Sequence, residues 1–262
     1  MKIRAVIQRE FQEHVRNYKL PFLILLILGG ILMALYTEVG PTANSRNVLD
    51  PFFELFAVLC PLIGIFAAMD AVVGEKERGT LELVLSKPIS RTTLLLGKFC
   101  NYLLIIVPLL VGELILAYYW AQISGISAYR WQLPMPPLGQ WLAMVVILTA
   151  VCMYYVALTI FVSLFARSTA AAGLIGIVLM GPAHPLGGEI LRRSLLVLGI
   201  QDLAELPVIL KPVISIFEKY QKLGLSSIAD FWIGVGSLLL ITAGLLLLGG
   251  QIFERQNITF RT

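Results

Sequence analysis

Ionisable side chains are scarce in this chain, and one stretch gathers them. Glu75, Lys76, Glu77 and Arg78 stand in a row, with Glu82, Lys87 and Arg91 close behind. Acids and bases at this density, set between two apolar runs, suit ionic docking rather than bond making. Within the apolar runs themselves the acids are few: Asp70, Glu113 and, at an edge, Glu54. An ionised carboxylate is costly to leave unpaired in a membrane, which makes Glu113 and Asp70 candidates for a translocation path. The plainer reading is a hydrogen-bonded acid at Glu113, or one reaching the outer headgroups, with Asp70 at the cytoplasmic end of its span. His14 and His184 are far apart, and His184 stands between two prolines as a loop residue. Cys60, Cys100 and Cys152 lie in apolar runs without CxxC or Cys/His ligand spacing. They read as small buried hydrophobes, neither a disulfide framework nor a metal site.

Catalytic motifs are missing as well. The fragment Gly97-Lys98-Phe99 lacks the upstream glycine and the hydroxyl of a GxxxxGK[ST] phosphate loop. No GxSxG elbow and no HExxH is present. The sequence therefore nominates no catalytic residue, calls for no cofactor, and places any ATP chemistry on another chain.

The elements that must carry these groups are membrane helices. Of 262 residues, 58% are hydrophobic and 14% charged, where soluble domains carry about 25% charged residues. With long charge-free runs, this composition predicts an all-α polytopic membrane protein, because a soluble domain interrupts its apolar runs more often. Six spans are expected: 20–36, 51–73, 94–120 with a kink at Pro108, 138–166 with Trp141 as an interfacial anchor, 170–180, and 231–253. Arg167-Ser168-Thr169 is too short a turn to separate the fourth span from the fifth, so those two must be antiparallel neighbours.

Residues 1–19 place Ile3, Ile7, Phe11, Val15 and Tyr18 on one stripe among basic and acidic residues. That pattern predicts an interfacial helix, retained rather than cleaved as a signal peptide. Residues 181–230 begin with two prolines and three glycines, and continue as short apolar patches broken by charges, Pro207 and Pro212. None of these patches can span, so short outer or re-entrant helices are expected. The whole of 1–262 is expected to be one transmembrane domain. Basic residues concentrate in 1–19, around 76–98, at Arg167 and in the tail, while the two short loops of the other face hold one each, Arg46 and Arg130, and the remaining five lie in the long 189–230 segment, which weighs little in this count. Both termini and the 74–93 segment are therefore expected in the cytoplasm. No nucleic-acid partner is expected.

The 74–93 segment has its own local grammar. Gly79-Thr80 reads as a turn, with Thr80 as the N-cap of a short helix whose Leu81, Val84 and Leu85 share a face. Lys87-Pro88 ends that helix, and Ser90 is a second N-cap that opens the third span. Physical reading alone yields a protruding amphipathic helix and does not distinguish a docking handle from an ordinary loop.

The run Glu75-Lys76-Glu77-Arg78-Gly79-Thr80-Leu81-Glu82, followed by Leu85-Ser86, Pro88-Ile89-Ser90-Arg91 and Gly97-Lys98, resembles the signature of type-2 ABC transporter permeases of the exporter kind. It is most similar to the branch that includes the nitrous-oxide-reductase maturation permease. The resemblance implies six spans in a prokaryotic cytoplasmic membrane, a second permease protomer, and a separate ABC ATPase subunit. It further implies that the segment after the second span is a coupling helix seated in a cleft of the ATPase. Gly79, Thr80, Leu81 and Glu82 would be its core, and Glu75 and Glu77 would face basic groups of the partner. Arg78, Leu85, Ser86, Pro88 and Arg91 complete the matching positions. The loop after the fifth span carries no matching motif, so the cargo stays unassigned.

Two other classes compete with this expectation. An ion-coupled carrier needs several charged groups near the midplane, and only Glu113 and the broken end of the fifth span offer anything. An intramembrane hydrolase would need a pair such as Ser163 with His184, which no spacing supports.

Overall fold

The structure is a computed structural model, and it describes residues 21, 24–30, 49–81, 90–123, 137–183 and 228–255. Six helices follow in order: α1 (Leu49–Ala68), α2 (Val73–Glu77), α3 (Arg91–Ile123), α4 (Leu138–Phe165), α5 (Thr169–Ala183) and α6 (Ile228–Arg255). Residues 24–30 are also helical, and Ile27 is buried in the common core. Among the described residues there is no strand.

Helix α4 is the axis of the bundle. It carries no charge and is apolar all round, the pattern of a helix that meets neighbours on most sides and lipid on the rest. It touches α1, α2, α3, α5 and α6, while α3 also packs on α6 and α1 on α5. At Gly64, where α1 crosses α4, an added Cβ would stand 2.9 Å from the Cys152 carbonyl oxygen and 3.0 Å from Tyr155 Cβ. The absent side chain is what lets the two backbones approach. The outward faces of α3, α5 and α6 remain apolar, with Leu104, Leu116, Leu174, Val178, Leu240 and Leu247 exposed.

Among the described residues, four helical stretches are long and apolar enough to cross a membrane: Leu55–Glu77, Arg91–Ile123, Leu138–Phe165 and Gly234–Arg255. They coincide with the second, third, fourth and sixth expected spans, and they make this a multi-pass membrane protein. The fifth is shorter. At 15 residues α5 is roughly 22 Å long, less than the ~30 Å hydrocarbon core. It also runs through Gly181-Pro182 to Ala183 instead of stopping at Met180. Of the first expected span, residues 21 and 24–30 are described. The interfacial helix 1–19, the bulk of the 181–230 segment with His184, and the tail beyond Arg255 lie outside the described residues.

Two local expectations change. The second span is not one helix: after Ala68 the backbone tightens, Ala71 N–H bonding Ala68 O at 3.0 Å, before α2 resumes. Trp141 is not a lipid-facing anchor. It is fully buried, its indole N–H donates to Leu114 O at 2.9 Å, and its ring lies 5.4 Å from that of Tyr118. The polar handle of this large ring is satisfied by α3 instead of headgroups.

Candidate functional site

Helix α2 is five residues long, and its three consecutive side chains Glu75, Lys76 and Glu77 reach three different helices. Successive residues rotate by about 100° around a helix axis, so three in a row fan out over most of a turn. Glu75 turns inward. Its carboxylate Oε1 lies 3.1 Å from Lys98 Nζ of α3, and both side chains are only 3% exposed. Its other oxygen, Oε2, is buried without a hydrogen-bond partner among the described residues. Lys76 Nζ donates to Leu164 O, 2.8 Å away in the last turn of α4, whose carbonyls have no partner within the helix. Glu77 is exposed, and its carboxylate accepts the backbone N–H of Thr169 at 3.2 Å together with the Thr169 hydroxyl. These are the first donors of α5, where Ser168 Oγ also accepts the Ala171 N–H at 3.2 Å. A cation thus sits at the negative end of one helix dipole and an anion at the positive end of the next.

The end of α2 is closed by a Schellman motif. Gly79 adopts φ +67°, its N–H bonds Lys76 O at 3.2 Å, and the Thr80 N–H bonds Glu75 O at 3.0 Å. This is the paired pattern that terminates helices on a left-handed glycine. Thr80 therefore serves backwards. Its N–H and its hydroxyl, 3.4 Å from Glu75 O, both return to α2, and the helical state resumes at Leu81, which is buried. Arg78 Nε donates to Gly74 O at 3.1 Å. Asp70 stands one turn earlier, its Cβ so near Gly74 that a side chain there would meet it at 2.8 Å.

The far end of the segment is tied just as firmly. Ser90 caps α3 as expected, accepting the Thr93 N–H at 3.2 Å. Arg91 donates from Nη1 to Phe253 O at 2.6 Å and holds its guanidinium 5.3 Å from the centre of the Phe253 ring. Thr92 Oγ1 donates to Glu254 at 2.6 Å. The stretch from 79 to 90 is consequently held between a junction of α3, α4 and α5 and a clasp of α3 on α6.

Of the residues that the sequence nominates, the structure brings Asp70, Glu75, Glu77, Arg78, Gly79, Thr80 and Leu81 into this one region, with Arg91 at the clasp. Glu82, Leu85, Ser86 and Pro88 lie outside the described residues. Glu75 and Glu77, expected to face a partner, both have partners within the chain. Glu113 is elsewhere: fifteen residues beyond Lys98 on α3, it stands roughly 22 Å along the helix, its Oε2 atom buried and without a hydrogen-bond partner among the described residues. Sequence reasoning nominated neither Lys98 nor Thr169. The signal for Lys98 was its position inside an apolar span, one turn before Asn101 and one after Leu94, where a cation needs a nearby acid.

Comparison with known proteins places this geometry in context. A family described as ABC-2 family transporter protein matches residues 4–258. Over 71 residues the chain is 45% identical to the probable ABC transporter permease protein NosY of Pseudomonas aeruginosa, covering 27% of this chain and 24% of that protein. Over 115 residues it is 31% identical to the protein of the same name from Stutzerimonas stutzeri, covering 41% of each. The matched segments therefore span less than half of either relative.

Proposed function

Because the chain belongs to the ABC-2 family of transporter proteins, we propose that it is the membrane permease subunit of an ATP-driven transporter, working as an exporter. The observation that carries this reading is the double anchoring of the 79–90 stretch, by α2 at one end and by Arg91 at the other. A segment whose two ends are fastened to α3, α4, α5 and α6 is suited to passing an external push into the bundle. The names of the two NosY relatives support the same reading.

In this proposal residues 1–262 form one transmembrane domain in a prokaryotic cytoplasmic membrane, with both termini cytoplasmic. Residues 20–36 and α5 complete a set of six spans. A separate ABC ATPase binds and hydrolyses ATP and receives the coupling segment, in which Arg78, Gly79, Thr80, Leu81, Glu82, Leu85, Ser86 and Pro88 supply or shape the contact. Glu75, Glu77 and Arg91 hold that segment to the bundle. Two permease protomers form the path, and Asp70 and Glu113 are its candidate polar groups. The chain itself performs no catalysis.

The test is gentle solubilisation from native membranes, followed by identification of what co-purifies. A soluble P-loop ATPase that is retained by the wild type and lost on Glu82→Ala or Gly79→Val supports the reading. A folded chain that purifies without an ATPase, and whose transport follows the proton gradient, overturns it in favour of an ion-coupled carrier.

A further inference from the structure

We propose that the Glu75–Lys98 pair is a positioning element for coupling: it is the rigid link through which displacement of the 79–90 stretch enters α3. This rests on the permease reading above. The three ties of α2 are not equivalent. Lys76 and Glu77 bind the ends of α4 and α5, where the acceptor and donors are backbone groups of a helix terminus, and Glu77 is exposed to solvent that can replace it. Lys98 instead lies two turns inside α3, and its bond to Glu75 is closed off from solvent. Water cannot compete for either charge, so the pair resists separation more strongly than a surface bridge.

Position on the helix adds to this. Glu75 O is also the acceptor that closes the Schellman turn through the Thr80 N–H. One residue therefore holds the first turn of the coupling segment by its backbone and α3 by its side chain. A push that rotates Gly79-Thr80 acts on Glu75 directly, and through Lys98 on a 33-residue helix that is about 50 Å long. The buried, unpartnered Glu75 Oε2 leaves room for this contact to change from one carboxylate oxygen to the other without breaking the pair.

The experiment uses the full chain in lipid nanodiscs with the ATPase that purifies with it, spin-labelled at Leu116→Cys on α3 and Leu142→Cys on α4, both exposed positions. Distances between the labels are measured without nucleotide and after trapping with ATP and vanadate. The wild type should show a shift on the order of 2 Å or more, the scale of helix displacements in switching proteins. The neutral pair E75Q/K98M removes both charges of the bridge together, so it should fold and keep its ATPase while losing the shift. The swapped pair E75K/K98E should regain at least part of it, a rescue that mere loss of packing would not give. A wild-type shift that persists in E75Q/K98M, or a wild type that shows no shift, overturns the proposal. Absence of an ATPase from the wild-type preparation overturns the permease reading instead, and this inference with it.

Discussion

The Glu77 carboxylate receives both the backbone N–H of Thr169, at 3.2 Å, and its hydroxyl, so the residue that ends α2 is fastened to the residue that begins α5. Ninety-two positions separate the two in the chain. A carboxylate from one element thus does the work of an N-cap on another, which ties the position of a short apolar helix to the charge cluster. Replacing Glu77 by alanine should lower stability by about 1 kcal/mol, the usual loss for a removed cap. Glu77→Gln, which still offers an acceptor, should cost less. Thermal unfolding of the purified protein in detergent measures both, and equal melting temperatures for wild type and Glu77→Ala would refute the capping role.

The buried pair makes a non-additive prediction. Lys98→Met leaves the Glu75 carboxylate alone in a dry site and should cost about 3–5 kcal/mol, whereas E75Q/K98M should cost less than the single change. Membrane-inserted yield and chemical unfolding report the order. A double variant weaker than Lys98→Met would show that an unpaired Glu75 carboxylate is not the source of the cost.

Gly79 separates backbone strain from packing. Beyond its chain neighbours, no atom of the described residues lies within 4 Å of where its Cβ would be, but its φ is +67°. Gly79→Ala should therefore destabilise by about 1–2 kcal/mol through conformation alone, and Gly79→Asn by less, since asparagine visits the left-handed region more readily. Hydrogen exchange of the Thr80 amide, which closes α2 on Glu75 O, should rise in Gly79→Ala before any global unfolding is seen. Unchanged exchange would contradict the Schellman assignment.

Helix packing gives a paired control. Gly64→Ala inserts a methyl 2.9 Å from the Cys152 carbonyl oxygen, and should cost about 1–3 kcal/mol by overpacking the α1–α4 contact. Gly112→Ala meets nothing within 4 Å among the described residues beyond its own helix turn, and within a helix should be neutral or stabilise by about 0.5–1 kcal/mol. Melting temperatures that move together would argue against Gly64 as the point of close approach.

The membrane class, the places of four spans and the cap at Ser90 were legible in the residues themselves, because each depends on run length or on neighbours a few positions apart. Gly79 was legible as a turn for the same reason, though not which helix it ends. The end of the fifth expected span was less legible, because α5 continues past Met180 to Ala183 and apolar composition does not state how long a helix continues. Trp141 was misplaced because an aromatic near a span end looks alike whether it faces headgroups or a neighbouring helix, and only the rotation of α4 against α3 turned it inward to Leu114.

By itself, then, the sequence determined that a charged, capped segment follows a membrane span and that its ions must find partners. Tertiary structure alone decided which ones. Lys98 lies 23 residues from Glu75, Leu164 lies 88 from Lys76, and Phe253 lies 162 from Arg91. Pairings at such separations depend on the relative depth and rotation of whole helices, which are set by close packing around α4 and leave no periodic trace in the residues that are joined.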